Sequence, residues 1–115
     1  MTELLVSVQE QPEGITLVSL KGFLDTRNFT QLDKVLQQLF SRERYRIVID
    51  MRLLEFISSS GAGLLVGSMQ RARENNGDIL LAQAPLAITE TLNLLGFSHF
   101  FTFYPDSETA LAQFA

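Results

Sequence analysis

Three consecutive serines followed by a glycine, Ser58-Ser59-Ser60-Gly61, are the residues of this chain best placed for chemistry. They follow an apolar strand-like run, and an apolar helix-like run comes after them. A serine at such a junction lies at the N-terminus of a helix, where backbone N–H groups have no intrahelical partners. That position suits a capping hydroxyl, from Ser58 or Ser59, and equally a phosphate group. The stretch therefore predicts a helix cap, a phosphorylation switch, or both.

Hydrolytic chemistry at these serines would require a neighbouring base, and the chain offers one histidine. His99 stands between Ser98 and an aromatic run, a context typical of a turn residue before a strand. The Gly-x-Ser-x-Gly pattern of a nucleophile elbow is absent from the chain. These observations argue against a serine hydrolase, and we assign no catalytic residue.

Nucleotide binding also lacks its sequence signature. Glycines recur at Gly61, Gly63 and Gly67, a spacing that misses the dinucleotide fingerprint by one residue. The chain has no Gly-Lys-Ser/Thr phosphate loop. We interpret the glycines as positions that let a helix backbone lie close to a sheet.

The candidate metal ligands are isolated acids. Asp25, Asp50 and Glu55 are separated along the chain, and neither a histidine cluster nor any cysteine completes a ligand set. We therefore expect no metal and no other cofactor. Asp25 comes just before the first predicted helix, which favours capping of that helix by Asp25 or Thr26.

The composition limits the possible partners and compartments. With 46% hydrophobic and 19% charged residues, the 115 residues are typical of one globular domain spanning 1–115. The formal net charge of -4 argues against nucleic-acid binding, and we interpret Arg42, Arg44 and Arg46 as part of a solvated loop. No stretch reaches the roughly 18 apolar residues of a membrane span, and the N-terminus lacks the positive start of a secretory signal. We expect a cytoplasmic protein that does not contact membranes.

The spacing of apolar residues predicts strands and helices in the order β-β-α-β-α-β-α-β-α. Strands are predicted at 4–8, 15–20, 47–50, 78–82 and 100–104, and helices at 26–40, 60–76, 86–95 and 107–114. Gly22 is expected to break the second strand, and Gly77 to end the second helix. The order predicts an α/β fold with a mainly parallel sheet, right-handed crossovers and an antiparallel hairpin edge.

The carboxyl ends of the parallel strands are the usual functional edge of such a sheet. Asp25, the segment from Asp50 to Ser60, and Ala84 are all placed at or near that edge. The segment from Leu53 to Ile57 is unusually apolar for a connection. We expect this segment to pack in the core beneath the loop; the alternative is that one or two exposed side chains contact a partner.

With these elements placed, nearly the whole chain resembles the STAS domain family, particularly the bacterial anti-sigma factor antagonists. Several short segments, in the family's order and spacing, carry the resemblance. They are Gly22-Phe23-Leu24-Asp25, Ile47-Val48-Ile49-Asp50, Phe56-Ile57-Ser58-Ser59-Ser60-Gly61-Ala62-Gly63, Gly96-Phe97 and the ending Phe103-Tyr104-Pro105-Asp106-Ser107-Glu108-Thr109-Ala110-Leu111. The resemblance implies a STAS-like fold with a mixed, mainly parallel β-sheet.

The resemblance also implies a regulatory binding protein rather than an enzyme. Such antagonists capture an anti-sigma factor that is itself a serine kinase, and so release a sigma factor for transcription. The kinase phosphorylates the first serine of an Asp-Ser-Ser-Gly-type motif, and a metal-dependent serine phosphatase removes the phosphate. Matched to this chain, the phosphoacceptor is Ser59 and the following serine is Ser60. The motif glycine is Gly61, and Asp25 is an acid that flanks the site.

One position departs from the family motif, because Ser58 stands where an aspartate usually precedes the phosphoacceptor. The change removes a carboxylate that could contact the kinase, and it leaves Ser58 as an alternative acceptor. We expect Asp25, Ser58, Ser60 and Gly61 to form the partner-binding surface around Ser59. The alternative function is a STAS scaffold that binds without phosphorylation, within a signalling or transport assembly.

Overall fold

The computed structural model describes residues 3–114 of the chain. They form strands and helices in the predicted order. The strands are β1 (Leu4–Glu10), β2 (Ile15–Leu24), β3 (Arg46–Ile57), β4 (Asp78–Ala82) and β5 (Phe103–Tyr104). The helices are α1 (Phe29–Ser41), α2 (Ser59–Glu74), α3 (Leu86–Leu94) and α4 (Ser107–Ala112). Within residues 3–114, no helix is both long and apolar enough to cross a bilayer.

The strands form one sheet in the order β1-β2-β3-β4-β5. β1 pairs antiparallel with β2 and every later pair is parallel, which confirms the predicted hairpin edge and mainly parallel sheet. Each crossover moves one strand further in the same direction, so crossovers of one hand bring their helices to the same face. Accordingly α1, α2 and α3 pack on one face of the sheet and α4 packs on the other.

The larger core lies between the sheet and α1–α3. Its side chains come from one face of each helix and from alternate positions of the strands. The largest fully buried ones are Leu20, Leu24, Leu32, Leu36, Phe40, Ile47, Ile49, Met51, Leu54, Ile57, Leu65 and Met69. On the far face α4 covers a smaller cluster from β3 and β4. The part of the far face formed by β1 stays open, since α4 packs against β3, β4 and β5.

The prediction of a connection from Leu53 to Ile57 is wrong, because β3 continues through these residues. β2 and β3 remain paired to their last residues, with two irregularities in register along the way. Leu54 and Ile57 are buried in the core, whereas Leu53 and Phe56 are 46% and 45% exposed. The exposed apolar side chains therefore lie on a strand rather than in a loop.

Two further strand boundaries differ from the prediction. Gly22 does not end β2: it lies within the strand with a φ of 103°, and a Cβ there would collide with the carbonyl of Glu3. Glycine at this position therefore lets β1 lie alongside an irregular part of β2. β5 is shorter than the predicted 100–104, because Ser98–Phe100 form a 3-10 turn and Phe101 is buried in the core.

The loop between α1 and β3 is bonded to the hairpin rather than simply solvated, which corrects the prediction for its arginines. Arg42 and Arg44 contact the Glu10 carboxylate at 3.0 and 3.2 Å. Arg44 also donates to the Thr16 hydroxyl and to the Ile15 carbonyl, both at 3.0 Å. These contacts hold the loop against the turn between β1 and β2.

The last helix begins at an acidic cap, as the sequence predicts. The Asp106 carboxylate accepts the Thr109 N–H at 2.7 Å. This hydrogen bond from the Thr109 backbone holds the pKa of Asp106 below its usual value, because it favours the ionised carboxylate.

The end of α2 depends on a close approach of two backbone segments. α2 ends at Glu74, before the predicted Asn76, and Asn76 takes a left-handed conformation with a φ of 64°. Gly77 lies against Tyr45, where a Cβ would collide with the Tyr45 carbonyl. Its N–H donates to the Ala72 carbonyl at 2.8 Å.

We expect Gly77→Ala to lower the free energy of unfolding by about 1–3 kcal/mol, because the new methyl group forces this backbone contact apart. Chemical denaturation measures the change. Gly67→Ala is the matched control, since a Cβ at Gly67 meets nothing within 4 Å. The control should gain up to about 1 kcal/mol from helix propensity. Equal changes in the two variants would contradict the packing explanation.

Candidate functional site

The serine stretch lies where β2 and β3 end side by side. Their last residues, Leu24 and Ile57, are aligned in the parallel register. The Ser58 N–H donates to the Leu24 carbonyl at 2.8 Å, which extends the pairing one residue past β3. The loop after β2 and the start of α2 therefore meet at the carboxyl edge of the sheet.

Ser58 is the N-cap of α2. Its backbone is extended, with φ of -87° and ψ of 169°, and its Oγ accepts the Gly61 N–H at 3.1 Å. The Ser58 carbonyl accepts the Ala62 N–H at 2.9 Å, the first bond of the helix. Ser58 is therefore the capping serine, and Ser59 is the first residue of α2, one residue before the predicted start.

A chain of three hydroxyl groups crosses the site. Ser60 Oγ lies 2.9 Å from Ser58 Oγ and 3.1 Å from Thr26 Oγ1. These three hydroxyl groups connect the β2–α1 loop to the first turn of α2. Ser59 is not part of this chain of hydroxyl groups: this residue is exposed, and its hydroxyl bonds to no residue between 3 and 114.

The loop before α1 is organised by Asp25 and Asn28. Asp25 Oδ1 accepts the N–H groups of Arg27 and Asn28 at 2.9 and 3.2 Å. In return, Asn28 Oδ1 accepts the Asp25 N–H at 2.9 Å, and Asn28 Nδ2 donates to the Phe23 carbonyl at 2.8 Å. The Arg27 guanidinium lies 3.8 Å from Asp25 Oδ2, and the Asp25 side chain is only 14% exposed.

These contacts correct the predicted cap of the first helix. α1 begins at Phe29 with Asn28 in the N-cap position, and neither Asp25 nor Thr26 caps it. Asp25 instead closes a turn of its own before the helix, because its carboxylate meets N–H groups two and three residues further on. Thr26 turns its hydroxyl to Ser60.

Gly61 is buried beneath the start of α2. A Cβ at Gly61 would lie 2.7 Å from Leu24 Cγ, closer than side chains approach one another. Gly63 and Gly67 have open space at the same position. The interpretation that the glycines let α2 lie close to the sheet therefore holds for Gly61 and is wrong for the other two.

The other polar candidates lie apart from the serines. His99 is exposed in the turn before β5, at the amino end of a parallel strand and so at the opposite edge of the sheet. Its ring packs on Phe100, with centroids 4.5 Å apart. Asp50 accepts the N–H of Arg52 at 2.9 Å. The residues from 3 to 114 contain no group of three or more histidines or acids that could hold a metal ion.

Two features of the site were missed from the sequence. The Thr26 hydroxyl reaches Ser60, and Asn28 completes the turn that Asp25 begins. An Asp followed three residues later by Asn is a signal for such a side-chain-bonded turn, so the turn at Asp25 could have been predicted from the sequence.

Beside the site, the rings of Phe23 and Phe56 lie 6.2 Å apart.

Fold and site together define a class of small α/β proteins with a serine-bearing helix start at the carboxyl edge of a mainly parallel sheet. The family model described as the STAS domain matches residues 7–110. The chain belongs to the STAS domain family.

Relatives of known name agree with this assignment. A protein of Bordetella bronchiseptica named "Putative anti-sigma factor antagonist BtrV" is 26% identical over 102 residues, covering 89% of this chain and 88% of the relative. An anti-sigma factor antagonist from Mycobacterium paratuberculosis has a similar structure, with a TM-score of 0.85 and 22% identity, covering 96% of this chain and 93% of the other. The unphosphorylated form of SpoIIAA gives a TM-score of 0.82 at 18% identity, covering 96% of each chain.

Ser58→Ala should lower the free energy of unfolding by about 1 kcal/mol, because the Gly61 N–H loses its acceptor. Ser58→Asp should keep the stability, since a carboxylate accepts the same N–H and is favoured at a helix N-terminus. Chemical denaturation compares the variants. Ser60→Ala is the control: it removes the contacts of the Ser60 hydroxyl to Thr26 and Ser58, leaves the Gly61 N–H bonded to Ser58, and should cost less. Equal losses in the two alanine variants would refute the capping role of Ser58.

Proposed function

We propose that this protein is an anti-sigma factor antagonist whose binding to an anti-sigma factor serine kinase is switched off by phosphorylation of Ser59. The observation that carries the proposal is the state of the Ser59 hydroxyl. It is exposed at the first residue of α2 and free of hydrogen bonds to residues 3–114, whereas its neighbours are bonded. A kinase can reach such a hydroxyl without breaking a contact of the fold.

Ser58 is the poorer acceptor of the two candidates. Its Oγ accepts the Gly61 N–H and lies 2.9 Å from Ser60 Oγ. Transfer of a phosphoryl group to this oxygen would require the cap to open, at a cost of about 1 kcal/mol. Ser59 requires no such opening, and this difference favours Ser59.

A phosphate on Ser59 would leave the fold intact and change the surface. A phosphoserine carries about -1.5 to -2 charges at neutral pH, and the helix N-terminus stabilises such a group. Burial of the same charge in an interface without a cation adds desolvation and repulsion. A few kcal/mol of that penalty is enough to lower affinity about 10²-fold or more.

The partner surface would be centred on Ser59 and shaped by the residues around it. Ser58 and Ser60 orient the helix start, and Asp25 sets the loop that borders it. Gly61 would shape this surface through its close packing on Leu24 and would not itself contact the partner, because Gly61 is buried.

The proposed cycle also names the other partners. A serine phosphatase would restore the binding form, and capture of the anti-sigma factor would release a sigma factor to direct transcription. ATP supplies the phosphoryl group, so the cycle would operate in the cytoplasm. The names of the relatives support an anti-sigma partner, and the protein itself would act as a binding module rather than an enzyme.

The acceptor is tested by incubating the protein with ATP and the anti-sigma factor kinases of its source organism, followed by intact-mass measurement. We expect the mass of one phosphate in the wild type and in Ser58→Ala, and no gain in Ser59→Ala. A gain that persists in Ser59→Ala would refute the acceptor assignment.

The switch is tested by measuring kinase affinity for Ser59→Asp against the uncharged control Ser59→Asn. We expect Ser59→Asp to bind about 10²-fold more weakly than Ser59→Asn, with unchanged circular dichroism. Equal affinity of the two variants would refute the electrostatic mechanism. Binding that ignores both ATP and phosphatase would favour a STAS scaffold that acts without phosphorylation.

A further inference from the structure

The two edges of the sheet differ in how well they are protected against pairing with another chain. β5 spans Phe103–Tyr104 only, and such short edge strands offer little to pair with. β1 is a seven-residue edge strand. It contains no proline and no lysine, and its register with β2 runs without a bulge. β1 therefore lacks the usual features that protect an edge.

The hydrogen bonds at both ends of β1 show which of its residues face outward. Phe23 N–H donates to the Glu3 carbonyl, and Gln11 N–H donates to the Ile15 carbonyl, both at 2.8 Å. These two pairs continue the register of β1 with β2, and bonded pairs alternate along an antiparallel ladder. The odd-numbered residues of β1 therefore bond to β2. The N–H and C=O groups of Leu4, Val6 and Val8 point away from the sheet.

The exposed side chains of β1 include two apolar ones, Leu5 and Val8, beside the polar Ser7, Gln9 and Glu10. Leu5 is 58% exposed and Val8 is 42% exposed. Glu10, the acid within the strand, is bound by Arg42 and Arg44. Its charge is therefore compensated within the chain and does little to repel a second strand.

We propose that the edge of β1 is a homodimer interface, in which β1 pairs antiparallel with β1 of a second copy about a two-fold axis at Val6. Val6 then faces Val6 of the second copy, and Leu4 faces Val8. Each of these pairs exchanges both N–H···O bonds, because these residues turn their backbone groups outward. In these bonded pairs the facing side chains are apolar, and cross-strand apolar pairs stabilise a sheet.

A second copy fits this edge better than an unrelated strand for two reasons. In the register about Val6, Glu3 faces Gln9 of the other copy, so no acid faces an acid along the ladder. A two-fold contact also uses the same edge in both copies, so it closes at the dimer instead of growing into a fibre. The strands run in opposite directions, and the two serine sites therefore lie at opposite ends of the joined sheet, both free for partners.

Sedimentation equilibrium of the full chain, from about 10 µM to about 1 mM, tests the association at the concentrations where small interfaces form. We expect the mass to rise with concentration from 12.9 kDa towards twice that value. Val8→Pro should remain monomeric with unchanged circular dichroism, because the Val8 N–H is not used by β2. Val8→Lys should weaken the dimer at least about tenfold.

Leu86→Lys is the matched control, since Leu86 is a 72% exposed apolar residue on α3, away from β1. Its dimerisation should equal that of the wild type. A wild-type mass that stays at 12.9 kDa throughout the range would overturn the proposal. So would a dimer that both Val8 variants leave unchanged, because the interface would then lie elsewhere.

The register can be tested by oxidation, because the chain contains no cysteine. Val6→Cys should form a disulfide-linked dimer, since bonded pairs in an antiparallel ladder have Cα atoms about 5.5 Å apart, within disulfide range. Ser7→Cys should not, because each Ser7 faces Leu5 of the other copy. Efficient linkage of Ser7→Cys and not of Val6→Cys would overturn the axis at Val6. Binding of an anti-sigma factor kinase is not needed for either test.

Discussion

The hydrogen bond from Ser58 N–H to the Leu24 carbonyl is the constraint on which the site depends. It fixes the start of α2 against the end of β2, so the backbone leaves β3 in the extended conformation that a cap requires. Gly61 then has to lie on the Leu24 side chain, where a Cβ would not fit. With the cap and the close packing in place, the Ser59 side chain is left outside the network of hydroxyl groups.

The fold was largely predictable because most elements carry a strong local pattern. The apolar spacing of α1 predicts a helix, and the short continuous apolar run of β4 predicts a buried strand; the structure has both. The errors have tertiary causes. The segment from Leu53 to Ile57 was not recognised as strand. The sequence alone does not show whether an apolar residue is exposed on an open sheet face or buried beneath a loop. The aromatic run from Phe100 has high β propensity, yet the pairing with β4 uses only its end.

The sequence predicted a cap at the start of α2 but few of the contacts around it. The serines and Gly61 follow from the local strand-to-helix pattern, which specifies a cap within one turn. Thr26 and Ser60 are 34 residues apart in sequence, and only the parallel pairing of β2 with β3 brings their hydroxyls to 3.1 Å. Asp25 was expected to cap a helix because acids favour that position. Reciprocal bonds with Asn28 gave it a more local partner.

The cap formed by Ser58 has a consequence for the charge at the start of α2. A serine hydroxyl does not titrate at cellular pH, whereas an aspartate at this position would already be charged. Under the proposed switch, a partner would meet an uncharged helix start in one state and a phosphate dianion in the other. The phosphate has a second pKa of about 6, so acidification would remove part of its charge while the cap itself stays unchanged. The charge contrast between the two states would then depend on pH through the phosphate and not through the capping residue.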